Sequence, residues 1–485
     1  MTNVDKDAYT INDDYYNWSI KTYEAIKSRL GLNLKVHPGD GYLKQGHIFL
    51  FNHFARFETV IPPYIIYRAT GAYTRSVADS ALFDGSERLS RYLRGVGAMP
   101  NKLPGLLAFL AAEILRGRKV VMFPEGGMVK DRKVLDDDGN FRVFSPTARE
   151  YRKHHRGAAV LALTLDIFKQ RILHLHAKGD TGRIQRWVGA LGLKNEQQLV
   201  MRASEATLIV PSTITFYPVR VEENFLSQVV GAFSRDLPKK LTEEILVEGN
   251  LIFRDTDMDI RLNPPIKTAK KWKWWEREFL NGYFRKIYSL DELFSLRDQA
   301  EGIAEKIIAR TVLKETLRIR DQYVHALYTG TTINLSHLAS CIISSLIDRK
   351  KMEIAIDDFH KVLYLALKYI QAAPDVYLHR SLLWPDRYRG LLDGENAELD
   401  RFLDRCETAG LIKRTATTYR LLDKLCQDYE LSDVRVENPV LVYTNEVEPI
   451  KEVRETVNAA LEKFSSISDQ VVAAFLFDDE LRAYN

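Results

Sequence analysis

The chain has 485 residues, of which 69 are Lys or Arg, 65 are Asp or Glu, and 46% are hydrophobic. This length allows about two to four domains that each bury a core, and the composition excludes wholesale disorder, a collagen-like repeat and a disulfide scaffold. The formal net charge of +4 is too small for a chain of this size to indicate a nucleic-acid-binding protein.

The cysteines and the N-terminal segment bear on the cellular compartment. Cys341, Cys406 and Cys426 are widely spaced and form no metal-binding pattern, so we expect reduced thiols in a cytosolic protein. The first ten residues contain Asp5 and Asp7 and no apolar core, which predicts no signal peptide. The most apolar stretches are shorter than the roughly 20 residues that a membrane-spanning helix needs. We therefore expect a cytoplasmic protein, with peripheral attachment to the inner face of a membrane as an open possibility.

The first 300 residues predict a helix followed by an α/β fold. Aromatic and aliphatic residues recur at helical spacing over 14–30, which predicts an amphipathic helix that ends at Gly31. From about 36 to 265 short apolar runs alternate with helical stretches such as 103–116, a pattern typical of a sheet covered by helices. The runs that predict strands are 47–51, 120–123, 208–210 and 213–221. Residues 133–143 predict a hairpin, with its turn at Asp138-Gly139.

Beyond residue 290 the pattern is mostly helical. The predicted helices are 290–317, 335–348, 354–371 and 397–409. Residues 397–421 predict a helix, a turn at Gly410 and a short strand pair, which is a winged-helix-like outline, but no cluster of basic residues marks a DNA-recognition helix. We therefore expect an N-terminal helical segment (1–35), an α/β domain (36–290) and a helical C-terminal domain (291–485).

Candidate chemistry begins in the sequence FNHFARFETV, which starts at Phe51. His53 follows a predicted strand, and Glu58 stands five positions later with Arg56 between them. A carboxylate can orient an imidazole through one ring nitrogen and leave the other as a general base. The alternative interpretation is a capping histidine and an ordinary surface glutamate.

A second candidate segment is VVMFPEGGMVKDR, which covers 120–132. Gly126 and Gly127 allow backbone N–H groups to approach an anion closely, and Lys130 and Arg132 follow as positive charges. Alone, the Pro-Glu-Gly-Gly segment is also compatible with a simple tight turn.

Together these segments resemble the glycerolipid acyltransferase superfamily, whose members carry a phospholipid/glycerol acyltransferase domain. The first family motif, N-H-x-x-x-x-D, is similar to Asn52-His53 through Glu58, with Glu in place of Asp. The third, F-P-E-G, matches 123–126, and the fourth, a strand ending in proline, matches 216–219. The second, G-x-x-x-I-x-R, is the poorest match and falls on 95–102.

The resemblance implies transfer of an acyl group from acyl-CoA or acyl carrier protein to a hydroxyl of glycerol 3-phosphate or lysophosphatidate in phospholipid biosynthesis. It implies no metal or prosthetic group. His53 would be the general base, and Glu58 would orient it. The implied substrate-binding residues are Arg56, Lys102, Glu125, Gly126, Gly127, Lys130 and Arg132.

Three alternatives stay open. The helical C-terminal portion loosely resembles the tail of larger bacterial-type glycerol-3-phosphate acyltransferases, which favours glycerol 3-phosphate over lysophosphatidate as acceptor. The Glu58 substitution also fits a catalytically silent, lipid-binding scaffold. Residues 267–286 interleave tryptophans with lysines and arginines, which fits either contact with anionic lipid headgroups or aromatic packing between domains.

Overall fold

The computed structural model describes residues 7–30, 33–54, 59–84, 86–145, 150–217, 257–268, 289–295, 303–383, 389–392, 394, 396–427 and 434–464. The helices of the first 329 residues are α1 (Asp13–Leu30), α2 (Gly41–Gln45), α3 (Ile61–Thr70), α4 (Glu87–Gly95), α5 (Leu106–Leu115), α6 (Gly157–Ala177), α7 (Thr181–Leu191), α8 (Glu196–Ser204), α9 (Leu290–Ser295) and α10 (Ile303–Thr329). Those that follow are α11 (Leu335–Asp348), α12 (Ile356–Ala372), α13 (Arg389–Leu392), α14 (Ala397–Thr408), α15 (Val434–Glu437), α16 (Pro439–Val447) and α17 (Lys451–Phe464).

The strands are β1 (Asn33–His37), β2 (Ile48–Phe51), β3 (Thr74–Ala78), β4 (Ala98–Pro100), β5 (Lys119–Met122), β6 (Val143–Ser145), β7 (Glu150–Arg152), β8 (Leu208–Tyr217), β9 (Asp257–Leu262), β10 (Ile266–Lys267), β11 (Thr332–Ile333), β12 (Glu353–Ala355), β13 (Tyr377–Leu378), β14 (Ile412–Arg414) and β15 (Thr418–Leu421). Eight of them form one mixed sheet in the order β1-β9-β8-β2-β5-β3-β4, with β10 paired to β8. Strands β8, β2, β5, β3 and β4 run parallel, whereas β9 is antiparallel to β8. The parallel strands therefore end at one common edge of the sheet.

Helices cover both faces of this sheet, as the alternation of buried side chains along β2 shows. Ile48 and Leu50 belong to a core that also includes residues of α5, α6 and α10. Phe49 and Phe51 point to the other face and join a core with residues of α1 and α3. Because neighbouring side chains of a strand point to opposite faces, a strand that is apolar at every position is buried on both sides.

A further apolar core lies in the C-terminal part and draws on α11, α12, α14, α16 and α17. There α14 leads through a turn at Gly410 into the antiparallel pair β14 and β15, to which β12 adds a third strand. This part is not separate from the sheet, because Val434 and Val442 pack in the core on the α1 and α3 face.

The structure confirms an α/β sheet with covering helices and a mainly helical part after it. It differs from the expected elements at one strand. The runs 208–210 and 213–221 belong, as far as residue 217, to the single strand β8, because Pro211 and Ser212 keep the chain extended and the Pro211 carbonyl accepts the N–H of Asn263. Within the predicted helix 290–317 the described residues belong to α9 and α10, and residues 296–302 lie outside the described residues.

Two elements bear on the expected boundaries at residues 35 and 290. Strand β1 spans the boundary at residue 35 and pairs in parallel with β9. Helix α10 lies after the boundary at 290, yet Tyr323 and Leu327 pack in the core on the α5 and α6 face of the sheet. Most of the basic and aromatic segment 267–286 lies outside the described residues. Across the part of the chain that the structure describes, none of the helices combines the length and the apolar character needed to cross a bilayer.

Candidate functional site

Two loops meet where the parallel strands β2 and β5 end. The strands are adjacent, with Leu50 opposite Met122, so the residues that follow each strand emerge side by side. Asn52 and His53 follow β2, and the Phe-Pro-Glu-Gly segment 123–126 follows β5. Ligands bind preferentially at this edge of an open α/β sheet.

The loop after β5 holds His53 through both of its backbone groups. The His53 N–H donates to Oε2 of Glu125 at 2.8 Å, and the His53 carbonyl accepts the N–H of Val129 at 2.8 Å. The half-buried imidazole lies against Phe123, with 4.8 Å between ring centroids. Backbone and ring of His53 are therefore both positioned by one loop.

Asn52 ties the same turn to the strand on the other side. Its amide nitrogen donates to the carbonyl of Ile214 at 3.0 Å, and its amide oxygen accepts the Ile214 N–H at 2.8 Å. Asn52 is buried, and a side chain that satisfies both backbone groups of one residue in a central strand fixes the start of the loop.

A tight turn at Gly126 forms the surface beside His53. Gly126 has φ of +69°, a conformation that favours glycine, and a Cβ on this residue would lie 2.3 Å from Nε2 of His155. Arg152 donates from Nη2 to the carbonyl of Glu125 at 3.0 Å. The turn is therefore flanked by a guanidinium and by an exposed imidazole.

Glu125 is buried, and its carboxylate is hydrogen-bonded to a residue at the C-terminal end of helix α10. Its Oε1 accepts the hydroxyl of Tyr328 at 2.8 Å, and that hydroxyl lies 2.6 Å from Nε2 of His154. Burial, together with the charge of Glu125, raises the pKa of Tyr328 well above its ordinary value. Burial and the charge of Arg320 lower the pKa of His154 to about 4. Tyr328 and His154 are thus both neutral near pH 7.

The expected basic residues occupy different environments. Arg132 is buried, stacks on Phe54 with 4.0 Å from Cζ to the ring centroid, and lies 3.5 Å from Oε1 of Glu446. Lys130 is half-buried in the loop after β5. Lys102 is exposed beyond the end of β4, at the same sheet edge but separated from β5 by β3.

Arg56 and Glu58 lie outside the described residues. The structure therefore brings together His53, Glu125, Gly126 and Gly127. It places Lys130 and Arg132 further along the same loop after β5, and Lys102 two strands away. Within the described ranges, no three His, Cys, Asp or Glu side chains are grouped so that they could hold a metal ion.

The sequence analysis did not identify Arg152, His154, His155 or Tyr328 as site residues. The paired histidines His154 and His155 stand immediately before Arg156-Gly157, where α6 begins. Tyr328 lies 203 residues after Glu125 and carries no sequence signal of its role.

No protein-family model matches the chain, and a search of curated protein sequences found no match.

Proposed function

We propose that the protein is an O-acyltransferase that moves a fatty acyl group from acyl-CoA or acyl carrier protein to a hydroxyl of glycerol 3-phosphate or lysophosphatidate. One observation carries the proposal: His53 and the Phe-Pro-Glu-Gly turn, 72 residues apart in sequence, meet through the hydrogen bond from the His53 N–H to Glu125. In the superfamily that the sequence resembles, these two motifs build one site.

The proposed chemistry assigns one proton transfer to His53. A ring nitrogen of His53 removes the proton of the acceptor hydroxyl as the oxygen attacks the thioester carbonyl, which forms the new ester bond. The C–S bond then breaks, and the departing thiolate takes the proton from the imidazolium. An ester and a thiol are the products, so no covalent acyl-enzyme and no further reactant is needed. In this proposal Glu58 orients the imidazole.

The proposed acceptor site lies at the Gly126–Gly127 turn. An acceptor that carries a phosphate requires positive charge beside the reacting hydroxyl. Arg152 flanks the turn and Lys130 belongs to the same loop, so these two side chains supply positive charge. His155 lies on Gly126, but partial burial and the charge of Arg152 lower its pKa, so it would act as a neutral hydrogen-bonding group. Arg132 already has a carboxylate partner in Glu446, so we assign it first to holding the loop in place.

The proposed organisation is an acyltransferase domain built on the large sheet and a C-terminal domain with a winged-helix-like portion. The helix α14 and the strand pair β14–β15 support the latter outline. Peripheral contact with a membrane surface, through basic and aromatic residues of 267–286, would bring the enzyme to its lipid product.

The test is acyl transfer by the purified full-length protein. Labelled glycerol 3-phosphate and lysophosphatidate are offered separately, each with acyl-CoA or acyl carrier protein as donor. We expect product with at least one pair, and a loss of about 10²- to 10⁴-fold in His53→Ala, because this is the usual contribution of a general base.

The matched control is His47→Ala, at the opposite end of β2 from His53. His47 accepts the N–H of Leu208 at the sheet edge where the strand begins, far from the proposed chemistry. The His47→Ala variant should keep the activity of the wild-type protein. Turnover by His53→Ala equal to that of the wild-type protein would overturn the mechanism. No turnover with any pair, from folded protein that binds lipid vesicles, would favour the scaffold alternative.

A further inference from the structure

We infer that Tyr328 and His154 are positioning residues for the proposed acyl transfer: they hold Glu125 against the backbone of His53, so that helix α10 completes the site. This inference rests on the proposed function. Tyr328 and His154 do not touch the reacting atoms in the scheme above, and they act through Glu125.

The hydrogen bonds of Glu125 carry the argument. One carboxylate oxygen accepts the His53 N–H at 2.8 Å, and the other accepts the Tyr328 hydroxyl at 2.8 Å. The carboxylate is therefore fixed at two points, one on the loop after β2 and one on α10. Loss of the second point would remove one restraint on rotation about the last side-chain bond, and this rotation moves the first oxygen away from the His53 N–H.

The surroundings of Tyr328 make it a rigid support. The phenol ring is buried and stacks on Phe141, with 5.7 Å between centroids and 17° between planes. His154 is also buried, and its Nε2 lies 2.6 Å from the phenol oxygen. The single hydroxyl hydrogen of Tyr328 goes to Glu125, while the His154 ring meets the phenol oxygen and also bonds the backbone of Phe141. The ring stack and this second hydrogen bond together fix the direction of the hydroxyl.

Such positioning affects the rate rather than the binding of substrate. Displacement of a catalytic group by about 1 Å can lower a rate by about 10²-fold, because the reacting atoms lose their alignment. Removal of the Tyr328 hydroxyl would also leave a buried carboxylate oxygen without this donor, which favours movement of Glu125. The predicted signature is a fall in kcat with an unchanged KM.

The first experiment compares the wild-type protein with Tyr328→Phe, which keeps the ring and its stacking. We expect kcat to fall by about 10- to 100-fold, with KM for acceptor and donor within about twofold of wild type. The matched control is Tyr16→Phe. Tyr16 is a buried tyrosine whose hydroxyl bonds Thr74, the residue that begins β3, at the opposite edge of the sheet from the site. The Tyr16→Phe variant should be less stable than the wild-type protein but should keep its kcat.

A second readout does not depend on activity. Amide hydrogen exchange of a peptide covering 49–54 reports the His53 N–H, and we expect faster exchange in Tyr328→Phe than in wild type or Tyr16→Phe. If the wild-type protein transfers no acyl group, the proposed function fails, and this measurement alone decides whether Tyr328 holds Glu125. Unchanged exchange at His53 would overturn the inference, and so would a kcat of Tyr328→Phe within about twofold of that of an active wild type.

His154 supplies a second pair of variants, which also applies if Tyr328→Phe does not fold. His154→Gln places an amide near the position of Nε2 and should keep kcat within about threefold, whereas His154→Leu should lower it by about 3- to 10-fold. Equal activity of the Gln and Leu variants would exclude a positioning role for His154.

Discussion

The guanidinium of Arg132 and the carboxylate of Glu446 lie 3.5 Å apart, and both side chains are buried. The pair joins the loop that follows β5 to helix α16. Next to it, Asn445 donates its side-chain N–H to the carbonyl of Asp131 at 2.8 Å. Burial alone would raise the pKa of Glu446, but the charge of Arg132 and the hydrogen bond with His337 hold it below its ordinary value. Helix α16 thus fixes the end of the loop that carries Glu125.

Glu446→Ala should be strongly destabilising, because it leaves Arg132 buried without its carboxylate. Breaking one side of a buried ion pair costs about 3–5 kcal/mol. The measurement is the free energy of unfolding from a urea titration. The control is Glu87→Ala, which breaks the exposed pair of Glu87 with Arg91 and should cost no more than about 0.5 kcal/mol. Equal losses in the two variants would show that Glu446 does not hold Arg132 in solution.

Gly126→Ala should impair the site beyond its effect on backbone strain. The left-handed conformation of this residue costs an alanine about 1–2 kcal/mol, and the new Cβ would also collide with His155. Gly139→Ala separates the two effects, because Gly139 has φ of +76° but no atom within 4 Å of its Cβ position. The proposed acyl transfer and the thermal unfolding of both variants are measured. We expect similar strain in both and a loss of activity in Gly126→Ala, and equal activities would contradict a role for this turn.

The lowered pKa of His154 predicts that the protein loses stability in mild acid. This pKa is about 4 in the folded protein against an ordinary value of 6.5. As the pH falls from 6.5 towards 4, the unfolded chain binds a proton that the folded protein does not, so the free energy of unfolding decreases, by about 3 kcal/mol in total. Above pH 6.5 this residue contributes no pH dependence. Unfolding titrations across this range should show a flatter profile for His154→Gln, and parallel profiles would rule out the shift.

The three cysteines should differ in reactivity. Cys341 and Cys406 are buried, and burial raises the pKa of each thiol to about 12, whereas Cys426 is exposed. Because the thiolate is the reactive form, a thiol reagent should label Cys426 alone in the folded protein and all three after denaturation. Cys426→Ser should abolish the fast labelling. Rapid modification of a second thiol would mean that the C-terminal core opens on the time scale of the reaction.

Local patterns were sufficient to predict many elements but not the packing around the site. The strands β2 and β5 stand out because every position of their apolar runs is apolar. The helices at 335–348 and 397–408 stand out because one face of each is apolar. The hairpin turn at Asp138-Gly139 was predicted because glycine permits its positive φ, and Leu135 indeed bridges to Phe141.

The partners of buried polar groups could not be predicted in this way. A tyrosine in an amphipathic helix looks the same whether its hydroxyl meets a carboxylate or solvent, so Tyr328 gave no signal towards Glu125. Arg132 was expected among the substrate-binding residues that the family resemblance implies, and only the packing of α16 revealed its ion pair with Glu446. Sequence spacing encodes local geometry, whereas these contacts depend on segments hundreds of residues apart.

The pairing of β1 with β9 has a consequence for how the chain folds during synthesis. Lys35 of β1 and Asp257 of β9 form an ion pair across 222 residues of sequence. The N-terminal strand therefore leaves the ribosome long before its neighbour exists and must wait, unpaired, while the central strands assemble. The contact of Glu125 with Tyr328 forms later still, because Tyr328 emerges 203 residues after Glu125 and well after β9. The sheet would then be nearly complete before Glu125 reaches its final arrangement, which forms only in the last third of translation.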